Sequence, residues 1–215
     1  MQAGRRVQQI EAVVFDVGGV LLDWNPRYLY RKLFDDEDAM ERFLVDVCTL
    51  DWHDAHDRGV RFDASCAKLA AAHPEQAELI WAWGRRSEEM IGGPIAGTAE
   101  VLRALKDEGI ACYALTNMEA ETFPLRFERF AFLGWFDGIV VSGLEPGGIA
   151  KPDIEIFQRL LDRFSLRAPA TLMIDDAPRN LDAARRLGMP TLRFRSAVAL
   201  RRRLEDAALL KAASR

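Results

Sequence analysis

The chain has 215 residues with 29 basic and 33 acidic side chains, a formal net charge of −4, 49% hydrophobic content and 29% charged content. A chain of this size buries about 70% of its unfolded surface around one or two cores. Its mild acidity excludes a general nucleic-acid or anionic-membrane binder. No apolar run reaches the ~18–20 residues of a membrane span. Gly4-Arg5-Arg6 and Gln8-Gln9 lead into no apolar stretch, so no signal peptide is expected. Cys48, Cys66 and Cys112 are scattered and form no CxxC pair, disulfide framework or zinc site. A reducing, cytoplasmic compartment is therefore expected, while the oligomeric state stays open.

Val13-Val14-Phe15 marks a buried strand over 10–15, which ends in Asp16 and turns at once through Val17-Gly18-Gly19-Val20. From Asn25 the pattern turns helical. Asn25 suits a cap and Pro26 the first helical position. Leu29, Leu33 and Phe34 then fall at helical spacing. Met40, Phe43, Leu44 and Val47 form one face of the next helix. Another helix starts at Phe62-Asp63 and carries Cys66, Leu69 and Ala70, and a further one is expected from Pro74 to about Met90. No strand is expected over 26–91. The segment 23–94 therefore reads as a helical insert of about four helices, closed by Gly92-Gly93-Pro94.

Beyond Gly97-Thr98 strands and helices alternate. A helix with Val101, Leu102 and Leu105 inward stops at Gly109, a left-handed cap. Strands follow over 110–115, 138–141, 171–174 and 190–194. Between them lie helices near 119–130, over 152–164 (Ile154, Phe157, Leu161 and Phe164 inward) and over 179–187, with a last helix after 194. Arg201-Arg202-Arg203, beside Glu205 and Asp206, reads as a solvated helix face, and Cys112 as core. The alternation implies an α/β fold, a doubly wound and mainly parallel Rossmann-like sheet. The strand over 10–15 belongs to that sheet. The expected organisation is an α/β core from 1–22 and 95–215, with the α-helical cap 23–94 inserted.

Ligands of open α/β sheets bind beyond the carboxyl ends of the strands. Four such ends carry polar residues: Asp16, Thr116-Asn117, the Gly147-Gly148 loop leading to Lys151-Pro152, and Asp175-Asp176. Taken singly each has an ordinary reading. Asp16 would bond turn amides, Thr116-Asn117 would cap a turn, and Lys151 would be a solvated loop lysine. Together, one lysine among several carboxylates suits a divalent cation sharing space with an anionic substrate. Mg²⁺ takes few carboxylates, with waters and phosphate oxygens completing its shell. The cation and Lys151 would neutralise charge on a transferring phosphoryl group.

Val14-Phe15-Asp16-Val17-Gly18-Gly19-Val20-Leu21, Leu115-Thr116-Asn117, Lys151-Pro152-Asp153 and Ile174-Asp175-Asp176 with Asn180 occur in this order, the motif in each following an apolar strand or loop. In this arrangement the chain resembles the haloacid dehalogenase superfamily over nearly its whole length, and the helical insert resembles that family's C1 cap. The resemblance implies Asp16 as the nucleophile that forms an aspartyl-enzyme intermediate. It implies Thr116 and Asn117 as phosphoryl-oxygen ligands and Lys151 as the group that stabilises nucleophile and phosphate charge. Asp16, the Gly18 carbonyl and Asp176 would ligate Mg²⁺, with Asp175 and Asn180 acting behind them or through water.

The chain departs from the family pattern at Gly18, where a second Asp often acts as general acid and base. Such help is typically worth ~10²–10⁴-fold. Three explanations stay open. The leaving group could need little protonation, as in an anomeric sugar phosphate or an acyl phosphate. His53, His56, Asp54 or Asp57 of the cap could supply the proton, although a surface or capping role is the ordinary expectation for the histidines. Or no acid is needed, as in a metal-independent 2-haloacid dehalogenase using Asp16. Family dehalogenases match at Asp16, Asn117 and Lys151, but they usually carry an aromatic residue in place of Gly18 and lack the acidic pair. Carboxylates gathered near Asp16 without a cation would repel one another. The expectation is thus a Mg²⁺-dependent phosphatase acting on a small phosphorylated metabolite, with the dehalogenase and a non-catalytic phosphate-binding protein as alternatives.

Trp24 is expected to line the cleft between cap and core, and Trp52-His53-Asp54 to reach it from a loop. Trp81 and Trp83, two apart on a helix, cannot share one direction, so one of them packs the cap. Asp23 reads as a cap at a hinge, with hinges expected near 23–25 and 92–97.

Overall fold

A computed structural model of the protein describes residues 9–211. The Gly4-Arg5-Arg6 stretch and the ends of the 1–22 and 95–215 segments lie outside the described residues. In chain order the first half comprises β1 (Ala12–Phe15), β2 (Leu22–Trp24), α1 (Arg27–Tyr30), α2 (Glu37–Asp46), α3 (Leu50–Asp57), α4 (Phe62–Ala72), α5 (Ala77–Arg85) and β3 (Ile91–Pro94). There follow α6 (Thr98–Asp107), β4 (Ala111–Thr116), α7 (Phe123–Arg129), β5 (Gly138–Val141), α8 (Ile154–Arg163), β6 (Thr171–Asp175), α9 (Pro178–Arg186), β7 (Thr191–Arg193) and α10 (Ala197–Asp206).

Five strands form one parallel sheet in the order β5-β4-β1-β6-β7. β1 is central, and all four of its residues are buried, as an apolar run flanked on both edges and both faces requires. Successive side chains alternate between faces. Val13 and Phe15 join Leu102, Leu105 and Leu200 of α6 and α10 on one side, while Val14 joins Phe157, Leu160 and Leu181 of α8 and α9 on the other. Each such aliphatic or aromatic burial stabilises the fold by about 1.5–3 kcal/mol. The ladder continues past β1, where the Asp16 N–H donates to Ile174 O at 2.9 Å. The end of β1 that leads into Asp16 is therefore held by the sheet's own hydrogen bonds.

The cap helices bury a separate apolar cluster around Tyr30, Phe43, Cys66, Ile80 and Trp83. Trp83 is fully buried and Trp81 only partly so, so it is Trp83 that packs the cap. α1 is one turn long, and Asn25 Oδ1 accepts from the Arg27 N–H at 3.0 Å. The helix expected over 74–90 is broken into a 3₁₀ turn, α5 and a second 3₁₀ turn. β2 and β3 were not expected. They pair antiparallel, with Leu22 opposite Pro94 and Asp23 opposite Gly93, and the register shifts at Trp24. The return strand is Ile-Gly-Gly-Pro, which carries almost no β propensity, so only its tertiary partner makes it a strand.

Two further differences concern the core. α7 starts at Phe123 because Glu119 to Thr122 form a side-chain-bonded turn, with Thr122 Oγ1 donating to Glu119 Oε2 at 2.7 Å. In α8 the inward residues are Ile156, Phe157, Leu160 and Leu161, while Ile154, in the first turn, is 39% exposed. Phe164 lies just past that helix and stacks on Tyr113. All three cysteines are free and buried, and no described helix is long and apolar enough to cross a membrane.

Candidate active site

The four polar strand ends converge at one edge of the sheet. Lys151 Nζ lies 2.8 Å from Asp16 Oδ1 and 2.8 Å from Asp175 Oδ2. Its side chain is 1% exposed and that of Asp175 is fully buried. The Val17 amide also donates to Asp16 Oδ1, at 2.6 Å. That oxygen is thereby occupied, while Asp16 Oδ2 has no hydrogen-bond partner among the described residues. Asp175 is consumed locally. Its Oδ1 accepts from the Ala177 amide at 2.8 Å, and Asn180 Nδ2 reaches both of its oxygens at 3.0 and 3.1 Å.

Asp176 leaves β6 in the opposite direction and faces the cleft with Asp16, Gly18 and Gly19. Gly19 has φ +71°, and a Cβ there would sit 2.6 Å from Asp176 Oδ2. The missing side chain is what lets the carboxylate approach the turn. Thr116, at the end of β4, is buried outside the cleft lining, and its hydroxyl donates to Asn117 O at 3.3 Å. Asn117 lines the cleft, and its side chain bonds the Lys151 backbone in both directions.

Carboxylate oxygens of Asp16, Asp175 and Asp176 lie within 4.8 Å of one another. Burial is the largest influence on Asp16 and pushes its pKa well up. Lys151 opposes this, and the charges of Asp175 and Asp176 add to it. Asp176 is likewise raised, by burial and then by Asp175. Burial works against the Lys151 ammonium, but Asp16 and Asp175 outweigh it and hold the pKa above the ordinary value. Three carboxylates facing one ammonium leave excess negative charge on oxygen donors only, which is the chemistry a hard divalent cation such as Mg²⁺ accepts. The space at Gly19 that admits Asp176 fits the same group. Asp16, Asp176 and the Gly18 carbonyl would hold it, with Asp175 behind.

The cap closes the other side of a cleft of about 670 Å³, within the range of small-molecule sites. Trp24, Leu50, Ile91 and Met118 supply apolar lining, and His53, Asp54 and Asp57 come from α3. Trp52-His53-Asp54 is therefore helical rather than a loop. Both His53 and His56 are buried, not on the surface as a histidine in a polar stretch suggests. Trp24 stacks on His53 at 4.9 Å, and Trp83 Nε1 donates to His53 Nδ1 at 3.3 Å. That leaves the Nε2 of His53 facing Glu119 Oε1 at 3.7 Å and Asp57 Oδ1 at 4.0 Å. Burial lowers the pKa of His53, and that of His56 falls to about 4 from burial and then from His53.

Glu119 and Arg126 also line the cleft and were missed in the sequence. Glu119 Oε2 meets Arg126 Nη1 at 2.9 Å, both side chains almost fully buried. Burial raises the Glu119 pKa, but Arg126, His53 and the Thr122 hydroxyl together outweigh it and bring it to about 2. The available signal was position alone: Glu119 follows directly on the Thr116-Asn117 strand end.

The family model for haloacid dehalogenase-like hydrolases matches residues 10–188. The chain is 29% identical over 189 residues, covering 88% of it and 92% of its relative, to a sesquiterpene phosphatase of Aspergillus oryzae. Its fold is similar to that of a HAD family enzyme from Bacteroides thetaiotaomicron in complex with magnesium and inorganic phosphate, with TM-score 0.64, 19% identity and coverage of 87% and 95% of the two chains. It is similar in the same way to the L-2-haloacid dehalogenase of Xanthobacter autotrophicus with chloropropionic acid covalently bound, with TM-score 0.65, 15% identity and coverage of 94% and 84%. At these identities the structural likenesses speak for the fold. With the family model spanning most of its length, the chain belongs to the haloacid dehalogenase-like hydrolases.

Proposed function

We propose that the protein is a Mg²⁺-dependent phosphatase that hydrolyses a small phosphorylated metabolite, such as a sugar phosphate, through an aspartyl phosphate on Asp16. One observation carries the reading. Lys151 is clamped between Asp16 and Asp175, while Asp176 adds a further carboxylate on the cleft side. A metal-independent dehalogenase has no use for that excess charge. The likeness to a sesquiterpene phosphatase supports the same side.

In this reading residues 23–94 form the cap over the core built from 1–22 and 95–215. Asp16 Oδ2 attacks phosphorus, and the bond to the leaving-group oxygen breaks. Water then attacks the aspartyl phosphate, releasing phosphate and restoring the carboxylate. Lys151 holds Asp16 in place and offsets negative charge on the phosphoryl oxygens. Asn117 closes the phosphate pocket at the end of β4 with Thr116 buried behind it, and Trp24 forms its apolar wall. Bound Mg²⁺ supplies Lewis-acid neutralisation of the phosphoryl group. Three buried, unpaired cysteines and the mild net acidity agree with a cytoplasmic enzyme that engages neither nucleic acid nor membrane.

The test is hydrolysis of an aryl phosphate and of 2-chloroacetate, each with Mg²⁺ and with EDTA. Phosphate release that EDTA abolishes is expected. Chloride release that survives EDTA would replace this reading with the dehalogenase. Neither product, from folded protein, would leave a non-catalytic phosphate-binding protein.

A further inference from the structure

We infer that the cap supplies the proton Gly18 cannot: the Asp57 carboxyl, set between His53 and Glu119 at the end of α3, is the general acid toward the leaving-group oxygen. The inference rests on the phosphatase reading above.

Gly18 itself is empty space. A Cβ there would meet nothing within 4 Å, so no neighbour has taken over the position and the replacement must come from across the cleft. Four cap groups have suitable chemistry, and their surroundings separate them. His56 is buried against Trp52 and Phe62 with neither nitrogen bonded, and it stays neutral. Asp54 is paired with Arg58 at 2.8 Å and is engaged there. His53 accepts from Trp83 at Nδ1, so its single proton sits on Nε2 facing two carboxyl groups. A neutral imidazole of that kind orients its neighbours and has no acidic proton to give.

Asp57 remains. The charged or titratable groups facing it are His53 and Asp54 on its own helix, Glu119 before α7, Arg126 on α7 and Lys151 of the core loop. Glu119 takes the Arg126 guanidinium and the Thr122 hydroxyl. Among the described residues, only the neutral His53 lies within ion-pair distance of Asp57. Burial, then the Glu119 charge, pushes its pKa well up. Two carboxyl groups within 4.8 Å of each other are thus driven apart, Glu119 toward the ionised form and Asp57 toward the protonated one. This is the pattern by which acid and base roles are recognised.

The Asp57 backbone is also anchored to the core. Ser142 Oγ, just past β5, donates to Asp57 O at 2.5 Å. Arg58 Nη1 donates to Gly148 O at 3.0 Å and to Asp153 Oδ2 at 2.6 Å. The end of α3 is therefore fixed to the loop that carries Lys151. When the phosphorus–oxygen bond breaks, Asp57 gives its proton to the departing alkoxide and the alcohol leaves neutral. The Asp57 carboxylate then takes a proton from the water that attacks the aspartyl phosphate. The acid is restored, and one water is consumed per phosphate released.

The experiment compares wild type and Asp57→Asn on an alkyl phosphate and on p-nitrophenyl phosphate, whose leaving group needs no proton. The quantity read is kcat/KM, which reports formation of the intermediate. The expected result is a loss of about 10²–10⁴-fold on the alkyl phosphate with little change on p-nitrophenyl phosphate. Partial rescue of the alkyl substrate is expected in the double variant Gly18→Asp/Asp57→Asn. Equal losses on both substrates, or none, would overturn the assignment. A second measurement needs no variant: wild-type kcat/KM should fall at alkaline pH for the alkyl phosphate and not for p-nitrophenyl phosphate, and matching profiles would overturn it too. Wild-type protein that releases phosphate from neither substrate would instead remove the phosphatase reading.

Discussion

Asn117 and Lys151 are joined by a reciprocal pair of hydrogen bonds: the Lys151 amide donates to Asn117 Oδ1 at 2.8 Å, and Asn117 Nδ2 donates to Lys151 O at 2.9 Å. A side chain at the end of β4 thus sets the backbone from which Lys151 rises. Each bond contributes about 0.5–1.5 kcal/mol net. Asn117→Ala should therefore lower unfolding stability by about 1–3 kcal/mol and reduce kcat more than it raises KM, because Lys151 loses its placement. Denaturant unfolding and steady-state kinetics on one preparation check both halves.

Asp16→Asn keeps the shape of the side chain and removes its nucleophilic charge. Turnover should fall on the order of 10⁶-fold, the scale for removing a covalent nucleophile. The far-ultraviolet circular dichroism should not change. Residual activity within tenfold of wild type would show that another group attacks.

At Gly19 a methyl group would collide with Asp176 in a left-handed backbone conformation that costs a non-glycine residue about 1–2 kcal/mol. Gly19→Ala should lower the melting temperature and raise the Mg²⁺ concentration needed for half-maximal phosphatase activity. The control is Gly18→Ala, where a Cβ meets nothing. It should leave the melting temperature nearly unchanged.

The raised pKa of Asp57 has a consequence for stability. Its folded pKa is raised by burial and by Glu119. The folded chain therefore keeps a proton that the unfolded chain releases above about 3.8. Across that window the native state binds more protons, so this residue makes the fold less stable as pH rises. Asp57→Asn removes the dependence. Relative to wild type the variant should gain stability as pH rises above about 3.8, as thermal melts in matched buffers would show. A constant difference would mean that Asp57 is ionised in the folded protein.

The core was legible because buried parallel strands are near-continuous apolar runs. Val13-Val14-Phe15 and Leu172-Met173-Ile174 announce themselves, and the polar residue ending each run marks where chemistry can gather. Asp16, Lys151, Asp175 and Asp176 were found in this way, and they meet in space. Other features were hidden because they depend on tertiary placement. Gly92-Gly93 becomes a strand only beside Asp23. Glu119 and Arg126 look like ordinary helix-surface charges until α3 covers them. The burial of His53 and His56 follows from Trp24, Trp52, Trp83 and Phe62 closing around them, and no local pattern encodes that.

The short antiparallel pair of β2 and β3 joins the outgoing and returning chains of the cap side by side. Two separate linkers would let the cap slide and tilt independently of the sheet, whereas a hydrogen-bonded ribbon twists as a unit. Leu22, where this ribbon begins, is bridged to Gly18 in the turn that follows Asp16. The two chain crossings and the turn that follows Asp16 therefore form one connected unit.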